Sequence, residues 1–451
     1  MAILEFPNPN SRSAQLFQRA SAVLPGGSSR NTIMFPPYPV YAATGLGCRT
    51  VDVDGVERVD FINNYSSLIH GHCHPAVSAA VRRQLGRMSA VGLPTESEIE
   101  LAESLTARVP AVEQIRFVNS GTEAVMLALK VARAVTGRSK IAKVEGAYHG
   151  MYDFAEISQS PSSAAWGSAD APHSVAHSPG TPSSVVNDVI VLPFNDATAA
   201  SRILEENADE LAAVLIDVMP AHLGFLQSSS EFLSAVSDFT RRSGALFVLD
   251  EVYSLRLHHG GAQAQLGLHP DLTAMGKIIG GGFPIGAVGG SREIMRVFDV
   301  GVRGNVLPHG GTYNANPITM AAGLAAMQAF DVEAITELNR LGELARTGLK
   351  AIVDNTGAPA QVFGNGSLIC VRFTRRPQNN YRDLALSVAE TARRDWFHRF
   401  LLNRGMLCSP HGLLILSTPM GNREISALLE IAADAFTQIA AGEIGERAST
   451  V

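Results

Sequence analysis

ALFVLDEV, residues 245–252, opens with five apolar residues and reaches Asp250-Glu251 before Val252. A continuous apolar run of this kind reads as a strand buried on both faces of a parallel sheet. A carboxylate at its C-terminal end then stands where open α/β sheets take their ligands. Working outward, residues 75–330 alternate between helical and extended patterns. Helices are predicted at 75–87, 96–108, 121–136, 198–207, 230–242 and 316–330, and strands at 114–119, 140–145, 189–192, 212–217 and 245–250. That alternation predicts an α/β domain on a mainly parallel sheet. Upstream, 1–74 holds a helix at 14–24 and a hairpin, CRTVDVDG (48–55) and VERVDFI (56–62), turning at Asp54-Gly55. Downstream, 331–451 changes style, with long helices (333–355, 380–403, 421–441) around short strands (367–373, 405–408, 413–417). The expected division is a large domain over 75–330 and a smaller α+β domain made of 1–74 and 331–451.

The chain has 451 residues, 46% hydrophobic and 17% charged, with a net charge of -6. Nothing in that balance favours a nucleic-acid partner. The four cysteines, 48, 73, 370 and 408, lie far apart, as expected of free thiols in an intracellular enzyme. MAILEFPNPNSR has no basic stretch followed by an apolar one, so no signal peptide is expected. The apolar run Ile318–Phe330 falls short of the ~20 residues a membrane span needs. A cytoplasmic protein is the expectation. Basic residues are lopsided, 31 Arg against 5 Lys (130, 140, 143, 277, 350), so few amines are candidates for imine chemistry.

Four further stretches carry chemistry. In AMGKIIGGGFPIGA (274–287), Lys277 stands just before three glycines, which let backbone approach a ligand closely. Alone, it reads as a surface lysine before a loop. In IRFVNSGTEAVMLALK (115–130), a strand runs into Ser120-Gly121-Thr122 and a helix starts at once. Unused N–H groups and the helix dipole make such a start a phosphate site, and an ordinary capped helix is the rival reading. In KVEGAYHGMYD (143–153), Tyr148 follows a strand end and could stack on an aromatic ring. Residues 155–187, rich in Ser, Pro, Ala and His, have no period. A stretch that long reads equally as a lid over a site or as a surface excursion. His70, His72, Cys73 and His74 cluster in HGHCHP, and VDVDG suggests a calcium loop. Both read as structural turns, and no metal is expected.

In order along the chain come SGTE (120–123), YHG (148–150), LDEV (249–252), GKIIGGG (276–282) and HGGTYNANP (309–317). This combination resembles the class III aminotransferases, fold type I enzymes that use pyridoxal 5'-phosphate (PLP). The likeness is greatest to the branch holding glutamate-1-semialdehyde aminomutase and the β-amino-acid transaminases, and it runs from about Leu24 to about residue 440. The resemblance implies a large domain with a mainly parallel seven-stranded sheet and a smaller α+β domain. It implies that Lys277 carries PLP as an imine and that Asp250 pairs with the pyridine nitrogen. Val252 and Tyr148 would cover the two ring faces, and Ser120, Gly121 and Thr122 would hold the phosphate. Thr312 would reach the phosphate of a second subunit, so a homodimer with shared sites is implied. LPGGSSR (24–30) resembles the transaminase pattern in which Arg30 grips the substrate carboxylate.

Two departures matter. The family usually has Glu-Pro-Val where this chain has Asp217-Val218-Met219, which leaves His222 as a loose candidate for the ring hydroxyl. SPHGLLILSTP (409–419) resembles the transaminase form of that stretch, with His411 where an arginine is common. The implied activity is transfer of an amino group from a carboxylate-bearing amine, a β-amino acid first, to a 2-oxo acid. An aminomutase or racemase on the same cofactor is the alternative. A histidine at 411 implies that a monocarboxylate acceptor serves at least as well as 2-oxoglutarate. Use of 2-oxoglutarate should then improve as pH falls toward ~6, unless Arg256 or Arg303 supplies the charge.

Overall fold

The computed structural model describes residues 5–301, 307–442 and 444. They form two compact units, one of residues 75–335 and 377–385, the other of residues up to 74, 336–376 and from 386 onward.

Seven strands build the sheet of the large unit: β1 (Gln114–Val118), β2 (Lys140–Val144), β3 (Val189–Leu192), β4 (Leu211–Ile216), β5 (Leu246–Asp250), β6 (Leu272–Gly276) and β7 (Gly286–Gly290). Their order is β1-β7-β6-β5-β4-β2-β3, parallel throughout except for β7, which runs antiparallel to β6 and β1. The expected mainly parallel seven-stranded sheet is what forms. β4, LAAVLI, and β5, LFVLD, are buried along their whole length, which is why they read as unbroken apolar runs. β6 and β7 went unpredicted. Their sequences, LTAMG and GAVGG, carry glycines, and glycine weakens the strand signal. β7 nevertheless needs them, because a Cβ on Gly286 would lie 1.9 Å from the Ser120 carbonyl oxygen.

The helix Gly121–Thr136 turns Ala124, Val125, Leu127, Ala128, Leu129, Val131 and Ala132 inward, in the core it shares with the sheet. Ser120 caps its start, accepting a hydrogen bond from the Glu123 N–H, and Gly137 ends it in the left-handed region at φ 69°. The 155–187 stretch is ordered. It contains a small hairpin, Gly167–Ser168 with Ala171–Pro172, and a helix, Ser183–Asn187.

In the small unit, Ala42–Leu46, Arg49–Asp52 and Glu57–Asp60 form an antiparallel meander, and Met406–Leu407 pairs parallel with the last of them. Gln361–Asn365, Leu368–Arg372 and Leu413–Ile415 form a second sheet, with helices Val388–Asn403 and Asn422–Ala440 in the same unit. The helix expected at 380–403 is two pieces. Asn380 and Asp383 cap a short 3-10 turn, Tyr381–Leu384, which lies in the large unit. Ser387 and Glu390 then cap the true helix from Val388. The helix expected at 14–24 runs Arg12–Ser21, before LPGG. The histidine cluster is tied up in structural bonds: His72 Nε2 to Asp60 Oδ2 at 2.8 Å and His70 Nδ1 to Thr418 Oγ1 at 2.8 Å. Asp52 of VDVDG caps its own turn, accepting from the Asp54 and Val56 N–H groups, and pairs with Arg58 at 2.5 Å. Among the described residues no single helix is long and apolar enough to cross a membrane.

Candidate active site

Five strands of the large unit deliver residues to the carboxyl end of the sheet. β5 ends in Asp250, and β4 is followed by Asp217, the next position in register with it. β6 is followed by Lys277, β1 by Ser120 and Gly121, and β2 by the turn bearing Tyr148 and His149. Gly121 lies against Val252, whose methyl carbons would be 3.2 Å from a Cβ on the glycine, and its Cα is 3.7 Å from the Cβ position of Gly276. Ser120, Gly121, Thr122, Tyr148, Asp250, Val252 and Lys277 therefore meet in one place. Arg30 and His411 belong to the small unit.

The two adjacent acids of LDEV have separate duties. Glu251 is fully buried and accepts from Ser254 Oγ (2.7 Å), Ala262 N (3.0 Å) and Gln263 N (2.8 Å), which makes it a structural anchor. Asp250 accepts from Val252 N at 3.0 Å on one oxygen, and its other oxygen is 2.7 Å from His149 Nδ1. The two bonds fix the orientation of the carboxylate. His149 was quoted in the YHG motif but given no role. It is buried, and burial lowers its pKa against the opposing pull of Asp250. With Nδ1–H pointed at the carboxylate, its buried Nε2 has no partner among the described residues. The available signal was position, one residue past Tyr148 at a strand's ligand end. Asp217 accepts from Met219 N at 2.8 Å. Burial, then the charge of Asp250, pushes its pKa well up, while the nearby Lys277 amine pulls it down.

Lys277 takes a left-handed φ of 49°, uncommon for a residue with a side chain. Its Nζ lies 3.8 Å from the Tyr253 ring centroid, and burial lowers its pKa to about 8, although Asp250 and Asp217 pull the other way. Lys143 is the other lysine with a lowered value, about 7, also through burial. Its amine is consumed by the carbonyls of Val144 (3.3 Å), Ala147 (3.1 Å) and Ile157 (2.7 Å). Lys140 pairs with Glu210 at 2.8 Å, and Lys130 and Lys350 are exposed. Lys277 is thus the lysine with a reactive setting.

The residues present fit PLP. The first-turn N–H groups of Gly121 and Thr122 are donors that a helix leaves unused, and Gly121 brings backbone close without a side chain in the way. Ser120 Oγ accepts from Glu123 N and keeps its own O–H for an anion. Tyr148 is stacked on His222, the candidate for the ring hydroxyl, with centroids 4.8 Å apart at 25°. Thr312 is exposed in a turn fastened to the site through Asn314, whose Oδ1 accepts from Asn119 Nδ2 at 2.8 Å. Arg256 is wholly buried in the large unit, its pKa lowered to about 9 by burial, and Arg303 lies outside the described residues.

In the small unit, Arg30 Nη1 donates to Asn64 Oδ1 at 2.7 Å. Arg30 borders a cavity of about 340 Å³ whose lining includes Ile33, Phe35, Val40, Tyr65 and Leu407. His411 keeps solvent access, yet the protein packed around it, then the Arg394 charge, lowers its pKa; Arg372 adds to this and Asp395 opposes it. His411 therefore gains charge at a lower pH than a free imidazole.

The profile of the "Aminotransferase class-III" family matches residues 34–423. A glutamate-1-semialdehyde 2,1-aminomutase of Methanothermobacter thermautotrophicus is 38% identical over 94% of this chain and 99% of its own. Among solved structures, an omega-transaminase from Sphaerobacter thermophilus is 50% identical, with a TM-score of 0.93 over 96% of this chain and 99% of that one. A β-phenylalanine aminotransferase from Variovorax paradoxus is 34% identical, with a TM-score of 0.86 over 96% of this chain and 95% of that one.

Proposed function

This chain belongs to the class III aminotransferase family and is a PLP-dependent enzyme, and on that premise we propose that it is a transaminase moving an amino group from a β-amino acid to a 2-oxo acid. The observation that carries the donor class is Arg30, a guanidinium at the edge of a cavity with a largely apolar wall. That pairing suits a carboxylate on one side and an apolar substituent on the other. The likeness to a β-phenylalanine aminotransferase supports it.

Bound PLP supplies an electron sink for the carbon that loses its proton. Asp250, held in place by the Val252 N–H and by His149, would face the ring nitrogen and keep a proton there. Ser120, Gly121 and Thr122 bind the phosphate, and Thr312 of a second subunit completes that grip in a homodimer with shared sites. Val252 and Tyr148 would cover the two faces of the ring, and His222 stacks on the tyrosine. Lys277 carries the cofactor. Once a donor amine takes its place on the cofactor, the freed Lys277 amine would accept the proton from the substrate carbon and return it on the cofactor side. Arg30 holds the donor carboxylate, and His411 faces the acceptor.

An aminomutase is the second reading, favoured by the 38% identity to glutamate-1-semialdehyde aminomutase. The deciding experiment offers a panel of amines to the PLP-form enzyme without any 2-oxo acid and follows the visible band. A transaminase loses the band stoichiometrically with a β-amino acid, stops, and resumes when a 2-oxo acid is added. Continuous turnover of glutamate-1-semialdehyde alone would overturn the proposal in favour of the mutase.

A further inference from the structure

We propose that Arg382 is a positioning residue for the PLP site, acting through Glu145 on the turn that carries Tyr148 and His149. The proposal rests on the site reading above.

Residues 377–385 belong to the large unit, although the chain on both sides of them belongs to the small one. The segment is internally braced. Asn380 Oδ1 accepts from the Arg382 and Asp383 N–H groups, Asp383 Oδ2 accepts from Asn379 N at 2.8 Å, and Gln378 Nε2 donates to the Asp383 carbonyl at 2.7 Å. It therefore acts as a short rigid strap with Tyr381 and Arg382 at its tip.

Arg382 uses all three of its side-chain nitrogens. Nε and Nη2 grip Glu145 at 3.0 and 3.1 Å, a two-pronged pair. Nη2 also donates to the carbonyls of Trp166 (2.8 Å) and Ser168 (2.9 Å), and Nη1 to Gly167 (3.0 Å). Tyr381 donates its hydroxyl to the Pro161 carbonyl at 3.0 Å and meets the Trp166 ring edge-on. One small strap thereby pins the hairpin of the long 155–187 stretch, the part that the sequence left undecided between lid and excursion.

The same strap reaches the site. Glu145 is buried and directly follows β2, and Gly146 directly follows Glu145. The Tyr381 ring lies so close over Gly146 that a Cβ there would be 2.1 Å from it. From Gly146 the turn runs through Tyr148 to His149, whose Nδ1 meets Asp250. Its other supports are Gly146 N to the Ser158 carbonyl at 2.8 Å, Lys143 Nζ to the Ala147 carbonyl at 3.1 Å, and Met151 N to Thr122 Oγ1 at 3.2 Å. Removing the guanidinium leaves a buried carboxylate unpaired at the root of this turn. The cheapest relief is for Glu145 to move toward water, which drags the turn with it. Tyr148 and His149 then lose their register on the cofactor and on Asp250.

The test compares wild type, Arg382→Ala, Arg382→Lys and Gly146→Ala as holoenzymes. Gly146→Ala drives a methyl into the Tyr381 ring without removing a charge. The readings are the dissociation constant of PLP, the visible circular dichroism of the bound cofactor, and the response to added guanidinium. Arg382→Ala is expected to bind PLP on the order of tenfold more weakly, by analogy with the loss when a group supporting a metal ligand is removed. Its cofactor dichroism changes, and guanidinium restores part of both. Gly146→Ala changes them in the same direction and is not rescued. If Arg382→Ala does not fold, Arg382→Lys carries the test, because one ammonium cannot span the carboxylate and three carbonyls. Unchanged PLP affinity and dichroism in the folded variants, or a loss that guanidinium leaves untouched, overturns the proposal. A wild-type protein with no borohydride-reducible adduct at Lys277 would instead sink the site reading itself.

Discussion

At the scale of single residues, neighbours in sequence are separated by what their side chains meet. Asp250 and Glu251 are adjacent, yet one faces the Lys277 site and the other caps the Gly261–Leu266 helix. Asp250→Asn is expected to keep PLP but to slow the amine half-reaction by at least ~100-fold, since a neutral amide cannot hold the ring proton. Lys277→Ala should lose the borohydride-reducible adduct altogether. Stopped-flow spectra and peptide mapping check the pair, and an adduct at Lys143 or another lysine would refute the assignment. His411 sets a pH dependence whose sign follows from its lowered pKa. Its midpoint lies below the ordinary histidine value of ~6.5, so it gains charge later than a free imidazole as pH falls. The kcat/KM for 2-oxoglutarate is therefore expected to stay low relative to pyruvate down to that value and to climb below it. His411→Arg should raise the 2-oxoglutarate value and remove the pH dependence. A strong preference for 2-oxoglutarate at neutral pH, unaltered in His411→Arg, would mean that this position does not read the acceptor.

At the scale of elements, the sheet and the phosphate cradle are one construction. β7 lies beside β1, and Gly286 touches the carbonyl of Ser120, the residue that caps the Gly121–Thr136 helix. Gly286→Ala should push that cap aside, costing about 1–3 kcal/mol in overpacking, and should weaken PLP binding in addition. Gly289 is a built-in control. A Cβ there meets Val112, 2.4 Å away and on the far side of the strand from the cap, so Gly289→Ala should lower the thermal midpoint alone. Equal loss of PLP affinity in both variants would separate β7 from the cradle. β7 also marks the limit of strand reading. Five strands were legible because apolar, β-branched runs are what a buried parallel strand requires. β6 and β7 were not, because close backbone approach called for glycine, and glycine erases the pattern.

At the scale of the whole molecule, the proposal of shared sites rests on Thr312. The residue is exposed, and its turn is tied through Asn314 to Asn119, beside the phosphate cradle. Mixing inactive Lys277→Ala chains with inactive Thr312→Ala chains should restore activity through hybrid dimers, because one site then has both residues intact. Activity in a monomer by sedimentation, or no recovery on mixing, would reject the shared site. The same scale holds the largest revision of the sequence reading. Residues 377–385 were expected in the small domain, 380–385 of them in a helix, and they form a strap on the large unit.

By itself the sequence determined the α/β class and the family, and it singled out Lys277 and the acid at the end of β5 as candidates, because each is written locally, as a period, a cap or a short motif. Tertiary structure decided the rest. It made His149 the partner of Asp250 across 101 positions, buried Asp217 beside Asp250, and separated Glu251 from Asp250. It also joined Arg382 to Glu145 across 237 positions. The physical reason is common to all four. A side chain's charge and partners depend on what burial removes from water around it, and contacts between residues far apart along the chain leave no period or spacing to read.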